Sequence, residues 1–340
     1  MYLAAANGWP PTRLGISPSA VSASQNQRTP DAIGPRASGA SSKARGGLEV
    51  GFAYVVSVAA LMAVLLHWSE VPNAPRLEWR IFAAHIAAMA AIFVFSRARN
   101  NSSFFDAYWS VIPVPTVAWL AWLGFSSTPP VSTPRAALLL TLVSAWAIRL
   151  TYNWWRGWEG LSHEDWRYVD LRRSMGRAYW LISFLGLHLF PAVLVWAGCC
   201  SLVPALIPEA VDTPRAFGAL DVVAAVVTGG AIWIEAAADR QLWDFRQSKP
   251  DRSAYIQSGL WRWSRHPNYF GECSFWWGLW LFAMAADPGA WVYVTGPVLM
   301  TVLFVFISIP MMEKRTLAKR PHYREHIERT SMFVPLPPRG

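Results

Sequence analysis

Apolar residues fall into eight stretches separated by short polar or Pro/Gly-rich breaks, at roughly 48–67, 81–96, 107–125, 136–152, 178–200, 217–238, 271–286 and 291–312. A helix needs ~20 predominantly apolar residues to cross a bilayer, and most of these stretches approach that length. The pattern predicts an all-α protein: a polytopic transmembrane helical bundle of about eight spans. The second and seventh stretches are short enough to leave a tilted or re-entrant path open.

Composition fits this reading. Hydrophobic residues make up 54% of the chain and charged residues only 15%, against about 25% in soluble domains. A soluble surface needs charge to stay solvated, so the deficit weighs more than the apolar excess. The 21 tryptophans also suit membrane interfaces, where indoles concentrate. Residues 1–47 are different. They are rich in Ser, Ala, Pro, Gly and Arg with no apolar period, which predicts a disordered tail. Five basic residues there against the single acid Asp31 leave a transit peptide open as the alternative. Residues 48–340 form the membrane domain.

The net charge of +9 does not call for nucleic acid, because the cations cluster at the ends of apolar stretches. If all eight stretches span from a cytosolic N-terminus, the outward loops hold Arg76, Arg80, Arg135 and Arg215, and Arg149 lies within the fourth span. The other twenty-five of thirty basic residues then fall on the inner side, as the positive-inside rule requires. Both termini are therefore expected in the cytosol. Cys199, Cys200 and Cys273 lie in apolar segments with no CxxC, so disulfide and zinc frameworks find no support, and no metal is expected. GxGxxG, Walker and HExxH motifs are absent. His85 and His188 sit on apolar spans and read as core histidines.

Polar residues at membrane depth are costly and usually have a partner or a task. Here they gather in four blocks at inward helix ends. Asp106-Ala-Tyr-Trp109 is either an N-cap followed by interfacial aromatics or a carboxylate and a phenol, Asp106 and Tyr108, facing a pocket. Arg149, Asn153 and Arg156 share one helical face before Glu164-Asp-Trp-Arg-Tyr168. An arginine there either meets an acidic neighbour or forms a fork for phosphate. Glu235 and Asp239 lie one turn apart, with Gln241 and Arg246 following, and form a salt-bridge network or a site. The densest block is Gly259–Glu272, where Arg265, His266, Asn268, Tyr269 and Glu272 crowd around Pro267 and Gly271.

The run Ser264-Arg-His-Pro-Asn-Tyr-Phe-Gly-Glu272 resembles the signature of the steroid 5-alpha reductase C-terminal-like superfamily, more narrowly its uncharacterised bacterial and eukaryotic branch. The other three blocks agree with that branch, as do Met312-Glu-Lys314, Tyr323 and Thr330-Ser-x-Phe-x-Pro335, so the resemblance covers roughly 50–337. It implies a helical bundle holding a nucleotide cofactor in a cytosol-facing pocket. In the reductases that cofactor is NADPH; in the related isoprenylcysteine methyltransferase it is S-adenosylmethionine. By motif position, Glu235, Asp239, Arg246, Asn268 and Glu272 would line the pocket. Arg265 and His266 belong to the same block, Glu313, Arg315 and Tyr323 would close the pocket, and Arg149 and Asn153 are further cofactor-binding candidates. Recognisable steroid-binding residues are lacking in the N-terminal half.

The resulting expectation is an NADPH-dependent reductase of a lipophilic alkene conjugated to a carbonyl, acting on CH–CH groups in lipid metabolism. Tyr108, Asp106 and Tyr269 are the catalytic candidates. The substrate would enter from the bilayer, among membrane lipids. The alternatives are a lipid or prenyl-cysteine methyltransferase using S-adenosylmethionine, and a non-catalytic membrane protein. The expected location is the endoplasmic reticulum in a eukaryote or the plasma membrane in a bacterium. Oligomeric state is left open.

Overall fold

The computed structural model describes residues 38–69, 76–251 and 253–339. Among them there is no β-strand, and eight long helical segments account for most of the chain. These are α1 (Ser38–Ser69), α2 (Leu77–Ala98), α3 (Ser102–Ser126), α4 (Thr133–Gly157), α5 (Trp166–Leu206), α6 (Ala219–Gln247), α7 (Pro267–Ala286) and α8 (Pro288–Lys319). A short α9 (Tyr323–Arg329) follows. Residues 38–47, expected to belong to the tail, instead extend α1 by several turns. The rest of that tail lies outside the described residues.

Seven of the eight segments are long and apolar enough to cross a membrane; α7 is not among them. The eight apolar stretches therefore become seven such spans plus one helix of mixed composition. The physical reason is burial. Fourteen of the twenty residues of α7 are buried, including Asn268 and Glu272, so it meets other helices rather than lipid and need not be uniformly apolar.

Its path is nonetheless that of a full crossing. At one end the backbone N–H of Arg215 donates to the Ala286 carbonyl at 2.9 Å. There Arg135, at the start of α4, also clamps Asp221 at the start of α6 (2.6 Å) and reaches the Ala285 carbonyl at 3.4 Å. At the other end of the same three helices, Asn268 of α7 donates to Asp239 of α6, which also accepts from Arg149 of α4. A 20-residue helix is about 30 Å long, enough to run between these two layers of contact.

Small residues permit the close approach. A β-carbon on Gly278 would lie 2.1 Å from the Thr228 hydroxyl, and one on Gly271 would lie 2.9 Å from the Ala231 carbonyl oxygen. Only glycine lets α6 and α7 pack at this distance, a common device between membrane helices. Two segments depart from α-helical hydrogen bonding: Ser183–Leu189 within α5 and Leu303–Ser308 within α8 form π-helical turns. The core runs through the bundle and is unusually aromatic. Trp146 stacks on Phe275 at 4.3 Å, and Trp109, Trp276 and Phe304 close around them edge to face.

Candidate active site at the polar end of the bundle

The starts of α1, α3, α5 and α7 and the ends of α2, α4, α6 and α8 meet at one end of the bundle. Lys43 donates to the Trp155 carbonyl, Asn101 to the Leu161 carbonyl, Arg172 to the Asn100 side chain, and Arg315 pairs with Asp170 at 3.0 Å. All four sequence blocks lie here.

Asp239 is the hub. Its carboxylate accepts from Arg149 Nη1 at 2.8 Å, Asn153 Nδ2 at 3.0 Å and Asn268 Nδ2 at 3.3 Å. Arg156 donates to its backbone oxygen at 3.3 Å. Arg149 also forms an ion pair with the fully buried Glu235 at 2.5 Å. The helical spacing read from the sequence thus places Arg149, Asn153, Glu235, Asp239 and Asn268 in one network. With its charge committed to two buried carboxylates, Arg149 holds helices together rather than offering a fork to an incoming phosphate.

Glu272 lies beneath this network and has a set of partners not anticipated from the sequence. Its Oε1 accepts indole N–H bonds from Trp109 at 2.7 Å and Trp276 at 3.0 Å, and its Oε2 accepts from Trp146 at 3.0 Å. The first block therefore reaches the fourth through Trp109, not through Asp106 or Tyr108. Asp106 accepts from Tyr168 at 2.5 Å. Tyr108 is fully buried and donates to the His85 carbonyl at 2.7 Å. Neither borders the cavity described next, so the structure does not bring them to Tyr269. The sequence signal that was available is the Glu272–Trp276 spacing of four, which stacks the two side chains on one face.

Above the network opens a cavity of about 870 Å³, in the range of cofactor sites. Asn268, Tyr269 and His266 from the start of α7 line it. So do Arg156, Trp158, Trp243, Phe245 and Arg246 from the ends of α4 and α6, Trp261 and Arg265 from the following loop, and Arg320, Tyr323 and His326 beyond α8. Pro267 at the first turn of α7 fits a position whose N–H has no helical partner.

Arg265 borders the cavity, but its donors are used. It pairs with Glu313 at 2.6 Å and donates to the Ile327 and Thr330 carbonyls, fastening α7 to the C-terminal segment. His266 bonds the same Glu313 at 3.1 Å and stacks flat on Tyr269, ring centres 5.5 Å apart. Burial lowers the affinity of His266 for a proton, and Glu313 opposes that. Burial likewise moves His326 down to about 4 and raises the Tyr323 phenol above its ordinary range. Burial favours the neutral form of both histidines, while the cavity's positive charge comes from arginine and lysine. Arg315, expected to help close the pocket, instead pairs with Asp170 and covers the Trp166 ring at 3.8 Å.

Among the described residues no group of three or more His, Cys, Asp or Glu side chains is placed to hold a metal. Cys199, Cys200 and Cys273 are free and buried.

The fold and site thus define a class: a polytopic helical membrane protein with a basic, aromatic-walled cavity at one end of its bundle. Residues 92–330 match the model of a family described as a protein of unknown function, DUF1295, and the chain belongs to that family. It is also similar to an uncharacterised protein of Schizosaccharomyces pombe (strain 972 / ATCC 24843), 28% identical over 264 residues, covering 69% of this chain and 73% of the relative. No solved structure matches it.

Proposed function

We propose that this protein is a membrane-embedded, NADPH-dependent reductase of a lipophilic double bond conjugated to a carbonyl. The observation that carries the reading is the chemistry of the cavity. Cations from α4, α6 and the end of α8 surround it, flat indole faces wall it, and the buried Asn268 and Tyr269 with the half-buried His266 form its floor. Arginines with aromatic faces suit phosphates joined to flat rings. The resemblance of the Ser264–Glu272 run to the steroid 5-alpha reductase superfamily points the same way. The basic end of the bundle would face the cytosol, in the endoplasmic reticulum of a eukaryote or the plasma membrane of a bacterium.

The residues fit the cofactor. Arg156, Arg246 and Arg320 would hold phosphates, and Trp158 and Trp243 would stack on rings. NADPH, when bound, supplies the hydride. Tyr269 borders the floor beside Asn268 and is the one phenol of the fourth block. It would donate to the substrate's carbonyl oxygen and steady the enolate as the β-carbon is reduced. The α-carbon then takes its proton from solvent. The substrate would reach the floor from the bilayer.

The indole walls also favour a sulfonium through cation–π contact, so S-adenosylmethionine is the second reading. Thermal unfolding of the detergent-purified protein separates the two. NADPH at about a hundred times its Kd should add about 2.7 kcal/mol of stability, while S-adenosylmethionine should add none. Stabilisation by S-adenosylmethionine alone would sink the reductase reading. Tyr269→Phe should keep the NADPH shift and lose NADPH oxidation.

A further inference from the structure

One wall of the cavity comes from outside the family-matched region. The match begins at residue 92, yet Lys43, in the first turns of α1, lines the cavity. Its ammonium donates to the Trp155 carbonyl at 3.1 Å and sits 5.4 Å from the centre of the Trp155 ring. Both partners are neutral. Among the described residues no carboxylate lies within ion-pair distance of it.

The segment is held close by shape. A β-carbon on Gly46 would come within 3.1 Å of Trp158, and one on Gly47 within 2.5 Å of Trp155. The backbone of α1 thus lies close against two indoles, of which Trp158 lines the cavity. A lysine placed this way is a positioned charge with hydrogen-bond capacity left over, since an ammonium has three donors.

Burial orders the cavity from floor to mouth. Asn268 and Tyr269 are buried, Lys43 is half-buried, and Lys249, Glu159 and Asp251 are exposed. Lys43 is therefore more open to solvent than the floor groups Asn268 and Tyr269. Six cations and two carboxylates line the cavity; with Arg265 paired to Glu313, three positive charges remain in excess. A pyrophosphate alone carries two negative charges, and a phosphate monoester adds about 1.5 to 2 more. The excess is larger than a pyrophosphate alone neutralises and leaves positive charge for a further phosphate.

Resting on the nucleotide reading above, we infer that Lys43 binds a phosphate monoester at the cavity mouth and makes the site select NADPH over NADH. The N-terminal turns of α1 are then part of the cofactor site, supplied by a segment that the family region does not include.

The test is equilibrium binding of NADPH and NADH to the full-length protein in detergent without added phospholipid, for wild type, Lys43→Gln and Lys43→Arg. Losing one charge-assisted hydrogen bond should weaken NADPH by about tenfold in Lys43→Gln. NADH affinity should change less than about twofold and Lys43→Arg should stay near wild type, as expected if charge rather than fit is lost. Unliganded thermal stability should match wild type in both variants, because Lys43 is only half-buried. Equal losses for both dinucleotides, or none, overturn the assignment while leaving the reductase reading intact. A difference between wild type and Lys43→Gln that appears only in nanodiscs containing anionic lipid assigns Lys43 to a lipid headgroup and also overturns it. Wild-type protein that binds neither dinucleotide removes both proposals together.

Discussion

At the scale of single residues, the side chains that organise the polar end are not all those the chemistry of their motifs singles out. Tyr108 and Asp106 have the functional groups of a catalytic pair, yet each is bonded to protein and away from the cavity. Trp109 beside them, which reads as an interfacial aromatic, is the residue that reaches the fourth block. Glu272 depends on it and on Trp146 and Trp276 for three N–H bonds. A carboxylate this deep is tolerable only while both oxygens are satisfied. Glu272→Gln replaces one accepting oxygen with an NH2 that faces an indole N–H. A donor left unpaired in a buried site costs about 1–3 kcal/mol. The expected result is a matching fall in thermal stability in detergent, with Trp146→Phe in the Gln background costing less than it does in wild type. Additive losses would show that the indole and the carboxylate are not coupled.

At the scale of elements, the pairing of α6 with α7 carries the site. It brings Asp239 to Asn268 and sets Glu235 against the Gly271 backbone. The contact is possible because Gly271 and Gly278 present no side chain to α6. Gly278→Ala would press its methyl into the Thr228 hydroxyl, 2.1 Å away, with the Thr228 Cβ at 3.0 Å. Overpacking of this kind costs about 1–3 kcal/mol. Lower thermal stability is expected and, on the proposed reductase function, weaker NADPH binding with it, since the same helix pair shapes the floor. Thr228→Ala in the Gly278→Ala background should recover part of both, because the hydroxyl is gone and the Cβ remains. Full stability in Gly278→Ala alone would mean that the two helices are free to separate.

At the scale of the whole molecule, α7 decides the topology. Counting only apolar helices gives seven crossings and would put the described ends of the chain on opposite faces. Contacts at both ends of α4, α6 and α7 make α7 a crossing as well, so the start of α1 and the segment after α8 share a face with the cavity. Reporter tags at the N- and C-termini are accordingly expected on the same side of the membrane, and a tag in the loop between α6 and α7 should share their accessibility. Tags on opposite sides would show that α7 does not traverse the bilayer.

The sequence by itself determined the helical class, the approximate positions of the eight long helices and the end of the bundle where charge collects. Those properties depend on local composition: hydrophobic length sets a span, and the placement of Lys and Arg sets its direction. It also determined that Arg149, Asn153, Glu235 and Asp239 belong on shared helical faces, because helix periodicity is local. Only the tertiary structure decided which of these groups border the cavity and which meet each other. Arg149 and Arg265 look alike in sequence, yet one is bound to Glu235 and Asp239 and the other to Glu313. The indole set around Glu272 joins α3, α4 and α7, and Lys43 reaches the cavity from α1. Such contacts join helices across 48 to 163 positions of sequence, where no local pattern specifies the partner.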